Sequence, residues 1–273
     1  MEMKKDQMAV VVPLSVSHKI KIMSLVSAVM VVFIHVPQIA GSGLTAGIEH
    51  FLSQGICRVA VPFFFTVSGY MLARHMNEKG WWACALRKRV KSVMAPYFLW
   101  CLISSLVHVA FGAMLVLSAN IMHHESLTRN MTSILISPLN AFGLNPFSGV
   151  VSNGALWYLR ELMIFVLVSP LIVWIVKQGK SISFVGLLLF WGLGVVFGVL
   201  FPVGSVYYHL FDRWISFGGL FYFMAGVYLS RTSVKVGAKY NQICLFAGLL
   251  IMFFLSVLFA CGTDVCVGGG VKR

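Results

Sequence analysis

Acidic residues are scarce in this chain: eight Asp and Glu stand among 273 residues, against 21 Lys and Arg. Charge of either sign is thin, at 11% of positions, whereas a soluble domain carries about 25%. So little charge cannot cover the surface of a fold this size, which excludes a water-soluble enzyme. Cysteine is also sparse: six residues with no pairing pattern exclude a disulfide-built secreted domain. No metal-ligand spacing is present, and His123-His124 is too little to propose one. Internal repeats and low-complexity segments are missing, which leaves an inverted-repeat transporter unsupported. What the chain does have is apolar residue, 59% of it, with a mean hydropathy of +0.89. That composition fits an all-α, polytopic membrane bundle.

A helical span takes about 20 mostly apolar residues. Seven stretches qualify, near 22–40, 56–74, 93–118, 156–176, 183–201, 214–230 and 242–260. The net charge of +13 would suggest nucleic acid in a soluble chain, but here the basic residues alternate between linkers. Lys4, Lys5, Lys19 and Lys21 precede the first span, and Arg74, Lys79 and the run Arg87 to Lys91 follow the second. Lys177 and Lys180 follow the fourth, and Arg231, Lys235 and Lys239 the sixth. The opposite linkers hold Arg129 and Arg213. This bias places the N-terminus in the cytoplasm and leaves nucleic acid without a motive. Residues 1–21 read as a cytoplasmic arm, since their apolar run is short, broken by Lys19 and Lys21, and lacks a signal-peptidase site. Residues 22–260 form the membrane domain and 261–273 a short tail. The longest external linker, about 119–155, carries an apolar patch from Ile134 to Phe142 and is either a lid or a plain connection.

Polar groups inside the spans are costly and mark functional or paired positions. His35 lies 14 residues beyond Lys21, roughly 21 Å along a helix, and so toward the external face. It is either a proton carrier or a structural donor to a neighbouring carbonyl. Arg58 stands near the external end of the second span; Pro62 frees a carbonyl, and Ser68-Gly69 allows close backbone approach. Arg87, Lys88, Arg89 and Lys91 are either a solvated cluster or a clamp for a phosphorylated co-substrate. At the fourth span, Trp157-Tyr158 suits the interface, while Arg160 and Glu161 point about 100° apart and seek different partners. Glu161 either orients a histidine of another helix or forms an interfacial salt bridge.

In their order along residues 19–230, these segments resemble the acyltransferase-3 family, integral-membrane acyltransferases of bacterial surface sugars. The motifs are Val31-Val-Phe-Ile-His35, then Pro62-Phe-Phe-Phe-Thr-Val-Ser-Gly69-Tyr-Met-Leu, a basic stretch running into Pro96-Tyr97, and Leu156-Trp-Tyr-Leu-Arg-Glu-Leu162. The resemblance implies transfer of an acyl group, commonly acetyl from acetyl-CoA, to a hydroxyl of an envelope glycan or lipid-linked sugar. It makes His35 the catalytic base with Glu161 as its helper, and Arg58, Ser68, Trp157 and Arg160 the acceptor site. Arg87, Arg89 and Lys91 become the acyl-CoA site, with no resident cofactor or metal. The implied location is the inner (plasma) membrane, with the bilayer and the glycan acceptor as partners. Ser24 stands where the family carries Arg or Lys, with Lys21 one turn earlier; Lys91-Ser92 replaces the second arginine of the family's basic pair. The family has more helices than seven, so a C-terminally short relative is expected, and a truncated, non-catalytic protein or glycan export component is the alternative.

Overall fold

The computed structural model describes residues 14–35, 48–117, 142, 144, 156–201, 205 and 207–231. All regular structure among them is helical. Helix α1 spans Leu14–His35, so the last third of the expected N-terminal arm is already helical and continuous with the first span. The next helical run, residues 48–73, changes type on its way to α2 (Ala60–Ala73). A π turn at Phe51–Ile56 passes into a 3-10 turn at Cys57–Val59. The cause lies just downstream: the Pro62 ring crowds the carbonyl of Arg58 and offers it no N–H, so the turns above Pro62 leave α geometry.

The same device recurs in the third long helix. Helix α3 (Trp81–Arg89) follows Gly80 in the left-handed conformation (φ 69°) and passes through a π turn at Val90–Met94 into α4 (Ala95–Leu117), with Pro96 at its start. The basic run Arg87 to Lys91 therefore lies inside a helix, not in the linker expected before residue 93. Lys and Arg are good helix formers, and the π turn absorbs the proline.

Helix α5 (Trp157–Lys177) is the most buried of the bundle and carries Pro170 in its interior. That proline leaves the carbonyl of Val166 without its helical partner. Ser169 Oγ donates to it at 2.7 Å, and the Trp82 indole N–H of α3 at 3.1 Å. Helix α6 (Lys180–Leu200) buries only Ser183 and Gly186; Phe184, Leu188, Trp191, Val195 and Val199 are exposed, as on a lipid-facing helix. Helix α7 (Tyr208–Arg213) is a single short piece before α8 (Phe217–Arg231).

Among the described residues, five helices are long and apolar enough to cross a membrane: Val16–His35, Ile48–Ala73, Trp81–Val107, Trp157–Lys177 and Lys180–Leu200. The expected span at 214–230 corresponds to α8, which is described over Phe217–Arg231. It starts late because Ser216 caps it: the Ser216 hydroxyl accepts the Gly219 N–H at 2.9 Å. The expected span at 242–260, the tail 261–273 and most of the linker 119–155 lie outside the described residues.

Close packing of α2 on α8 holds the centre. A Cβ on Gly69 would strike the carbonyl of Phe223, and one on Gly226 the carbonyl of Thr66. The backbone approach expected at Ser68-Gly69 is thus mutual. Phe65, Phe165 and Phe223 tie α2, α5 and α8 together, with ring centroids 4.9 and 5.7 Å apart.

Candidate active site

Two cavities lie at opposite ends of α2. The larger, about 740 Å³, opens where α1 ends and α2, α5 and α8 begin. His35 enters it as the last residue of α1, and Arg58 from the 3-10 turn above Pro62. Trp157, Tyr158 and Leu159 form the first turn of α5, whose N–H groups have no helical acceptor. Tyr208 of α7 and the capping Ser216 complete the far wall. Three of the residues expected from sequence, His35, Arg58 and Trp157, thus meet in one space although they are 23 and 99 positions apart along the chain.

Arg160 and Glu161 do turn to different partners, below the cavity and not into it. Glu161 is fully buried, and its Oε1 accepts the Ser216 backbone N–H at 2.8 Å. The Arg160 guanidinium lies 4.3 Å over the Trp214 ring and beside Tyr97, whose hydroxyl donates to the Phe142 carbonyl at 2.6 Å. The pair therefore fixes the turn between α7 and α8, and through Tyr97 reaches one point of the long linker. Glu161 does not line the space that His35 enters. Ser68 is buried one turn below Phe64, and Tyr158 reaches it from the cavity wall.

The second cavity, about 380 Å³, lies at the other end of α2. Met71, Leu72 and His75 line one side, and Lys88, Arg89 and Ser92 the other. His75 Nδ1 and Glu78 Oε1 are 2.7 Å apart at its rim. Of the expected acyl-CoA residues only Arg89 lines it. Arg87 and Lys91 are exposed one turn apart on another face of the helix, and Lys88 takes their place. Arg58 and His75 mark the two ends, 17 residues or roughly 25 Å apart along the helix, comparable to a bilayer core. No group of three or more His, Cys, Asp or Glu fit to hold a metal occurs among the described residues.

Sequence reasoning missed Tyr208 and Ser216 in the larger cavity. Ser216 carries a signal, a serine one residue before an apolar helical run; Tyr208 carries none. Tyr158, which the sequence presents as an interfacial anchor, also lines this cavity.

A family model described as an acyltransferase domain, that of the acyltransferase-3 family, matches residues 18–266. The chain is also similar to the succinoglycan biosynthesis protein ExoH of Rhizobium meliloti (strain 1021), 24% identical over 230 residues. That alignment covers 81% of this chain and 56% of ExoH, so the chain spans little more than half the length of this relative. No solved structure matches the chain. The ordered motifs, the apolar helices that carry them and the match over residues 18–266 agree: the chain is a multi-pass membrane protein of the acyltransferase-3 family.

Proposed function

We propose that this chain transfers an acyl group, acetyl in the simplest case, from acyl-CoA to a hydroxyl of a cell-envelope glycan or lipid-linked sugar. The observation that carries the reading is the convergence of His35, Arg58 and Trp157 on one cavity at the end of α2 opposite the basic cavity. A glycan acceptor draws support from the relative named for succinoglycan biosynthesis.

In this reading the basic cavity faces the cytoplasm and takes the donor, with Lys88 and Arg89 on its phosphates. The excess of basic residues on that side supports a cytoplasmic N-terminus, about seven spans in all and an inner-membrane location. The pantetheine arm follows the face of α2 that carries Phe64, Ser68 and Met71, residues spaced three to four apart from one cavity to the other. Arg58 and Trp157 hold the sugar by hydrogen bonds and ring stacking. The His35 imidazole takes the proton from the acceptor hydroxyl as its oxygen attacks the thioester carbonyl. The N–H groups of the first turn of α5 stabilise the charge on that carbonyl oxygen. Collapse of the tetrahedral intermediate breaks the C–S bond, and the departing thiolate takes the proton back from the imidazolium. Ester and free CoA result, and His35 is again neutral.

His35→Ala lowers acyl transfer by about 10²–10⁴-fold while leaving acyl-CoA binding intact, read with labelled acetyl-CoA and the purified full chain. Transfer at the parent rate in that variant would sink the mechanism. Failure of the parent protein to bind acetyl-CoA would instead favour a non-catalytic role.

A further inference from the structure

A third cavity, about 590 Å³, lies between α6, α7 and α8 at the same end of the bundle as His35. Its walls are aromatic: Phe197 and Phe211 approach to 4.4 Å, Phe201 stacks on Phe211 at 4.9 Å, and Phe217 meets Phe197 at 5.0 Å. None of its described lining residues is charged. Two residues, Tyr208 and Ser216, line both this groove and the His35 cavity, so the two spaces adjoin at those side chains. The groove opens on α6, whose apolar side chains are exposed along a helix long enough to span a bilayer. Its mouth therefore faces hydrocarbon, while its inner end meets the polar cavity. Glycine makes the room: Gly198 lines the groove, and a Cβ placed on it would meet nothing within 4 Å.

The geometry points to a binding site for the hydrocarbon chain of a lipid-linked acceptor, with the chain in this groove and its sugar beside His35. This rests on the acyltransferase reading and narrows it, because a free, water-soluble glycan leaves the groove unused. Apolar contact along this aromatic wall suits an isoprenoid or acyl chain. The polar junction at Tyr208 and Ser216 is where the headgroup begins.

Gly198→Leu fills the groove without meeting protein atoms at its Cβ, and Gly192→Leu is its control. Gly192 also has open space about its Cβ but does not line the groove. The probe is a polyisoprenyl phosphate carrying a diazirine in its chain, photolysed with the full-length protein in phospholipid nanodiscs. Labelling is expected in the peptides that hold Phe197, Phe201 and Phe211. Unlabelled polyisoprenyl phosphate should compete, and added phosphatidylglycerol should not. Gly198→Leu should lower labelling about tenfold, and Gly192→Leu should leave it unchanged. With acetyl-CoA, the ratio of kcat/KM for a polyisoprenyl-linked glycan to that for its methyl glycoside should fall about tenfold in Gly198→Leu alone. Four results would overturn the site: no labelling of those peptides, equal competition by phosphatidylglycerol, indifference to Gly198→Leu, or cross-linking that shows residues 242–260 of the chain itself in the groove. Groove labelling by a protein that transfers to neither acceptor would keep the lipid site and overturn the acyltransferase reading, so the two failures are distinct.

Discussion

Arg87 and Arg89 are two positions apart, yet of the two only Arg89 lines the basic cavity. A periodicity of 3.6 separates them by about 200°, and only Arg89 falls on the side of the helix whose Trp81, Ala85, Lys88 and Ser92 line the basic cavity. Arg89→Gln should therefore raise the KM for acyl-CoA about tenfold, whereas Arg87→Gln should leave it near the parent value. Equal effects in a steady-state titration of acyl-CoA would place the donor elsewhere. Glu161 has a different test. Its Oε1 accepts the Ser216 N–H from a fully buried position, so an amide in its place keeps that bond. Glu161→Gln should retain most of the acyl transfer, and Glu161→Ala should cost about 2 kcal/mol of stability through the orphaned N–H. Loss of activity in Glu161→Gln with an unchanged melting temperature would restore Glu161 as a partner of the histidine. Sequence could offer Arg58, Arg160 and Glu161 as polar residues worth keeping in a membrane. It could not tell which of them faces the cavity, because that depends on a turn 55 residues further on.

Proline sets the geometry at the scale of the helices. Pro62, Pro96 and Pro170 are all visible in the sequence, and each removes a donor from the backbone ladder. What the sequence hides is the solution adopted at each: π and 3-10 turns before Pro62, a π turn before Pro96, and at Pro170 a foreign indole N–H. Trp82→Phe leaves the Val166 carbonyl to Ser169 alone and should lower stability by about 1 kcal/mol, read from thermal unfolding in detergent. The glycine seam is less forgiving. At Gly226 an added methyl meets the backbone of Thr66 and Tyr70, which no rotamer can move aside. Gly226→Val should cost about 3 kcal/mol or more by forcing α8 off α2, and unfolding at the parent temperature would contradict that packing. Ser68-Gly69 announced this close approach from one side only; its partner glycines on α8 lie within a segment that reads simply as an apolar span.

In the proposed reading, the distribution of charge predicts which way the whole molecule sits in a bilayer. Most of the spans were legible because apolar length and alternating basic linkers are local properties. The helix expected at 214–230 was legible in the same way, but its burial among α2, α5 and α6 is a tertiary fact that hydropathy cannot register. In a variant lacking native cysteines, a cysteine at Arg58 should react with a membrane-impermeant maleimide in intact cells. One at Lys79 should react only after permeabilisation; the reverse pattern would invert the topology.

The interlock of Gly69 with α8 also has a history during synthesis. The two glycines of the seam, Gly69 and Gly226, lie 157 residues apart. At usual elongation rates of about 5–20 residues per second, α2 waits on the order of 10–30 s in the membrane before its closest partner exists. Throughout that interval the notch at Gly69 is open to any other small-residue helix. The order of synthesis makes α2 the element on which an insertion chaperone, or a competing membrane protein, has the longest time to act.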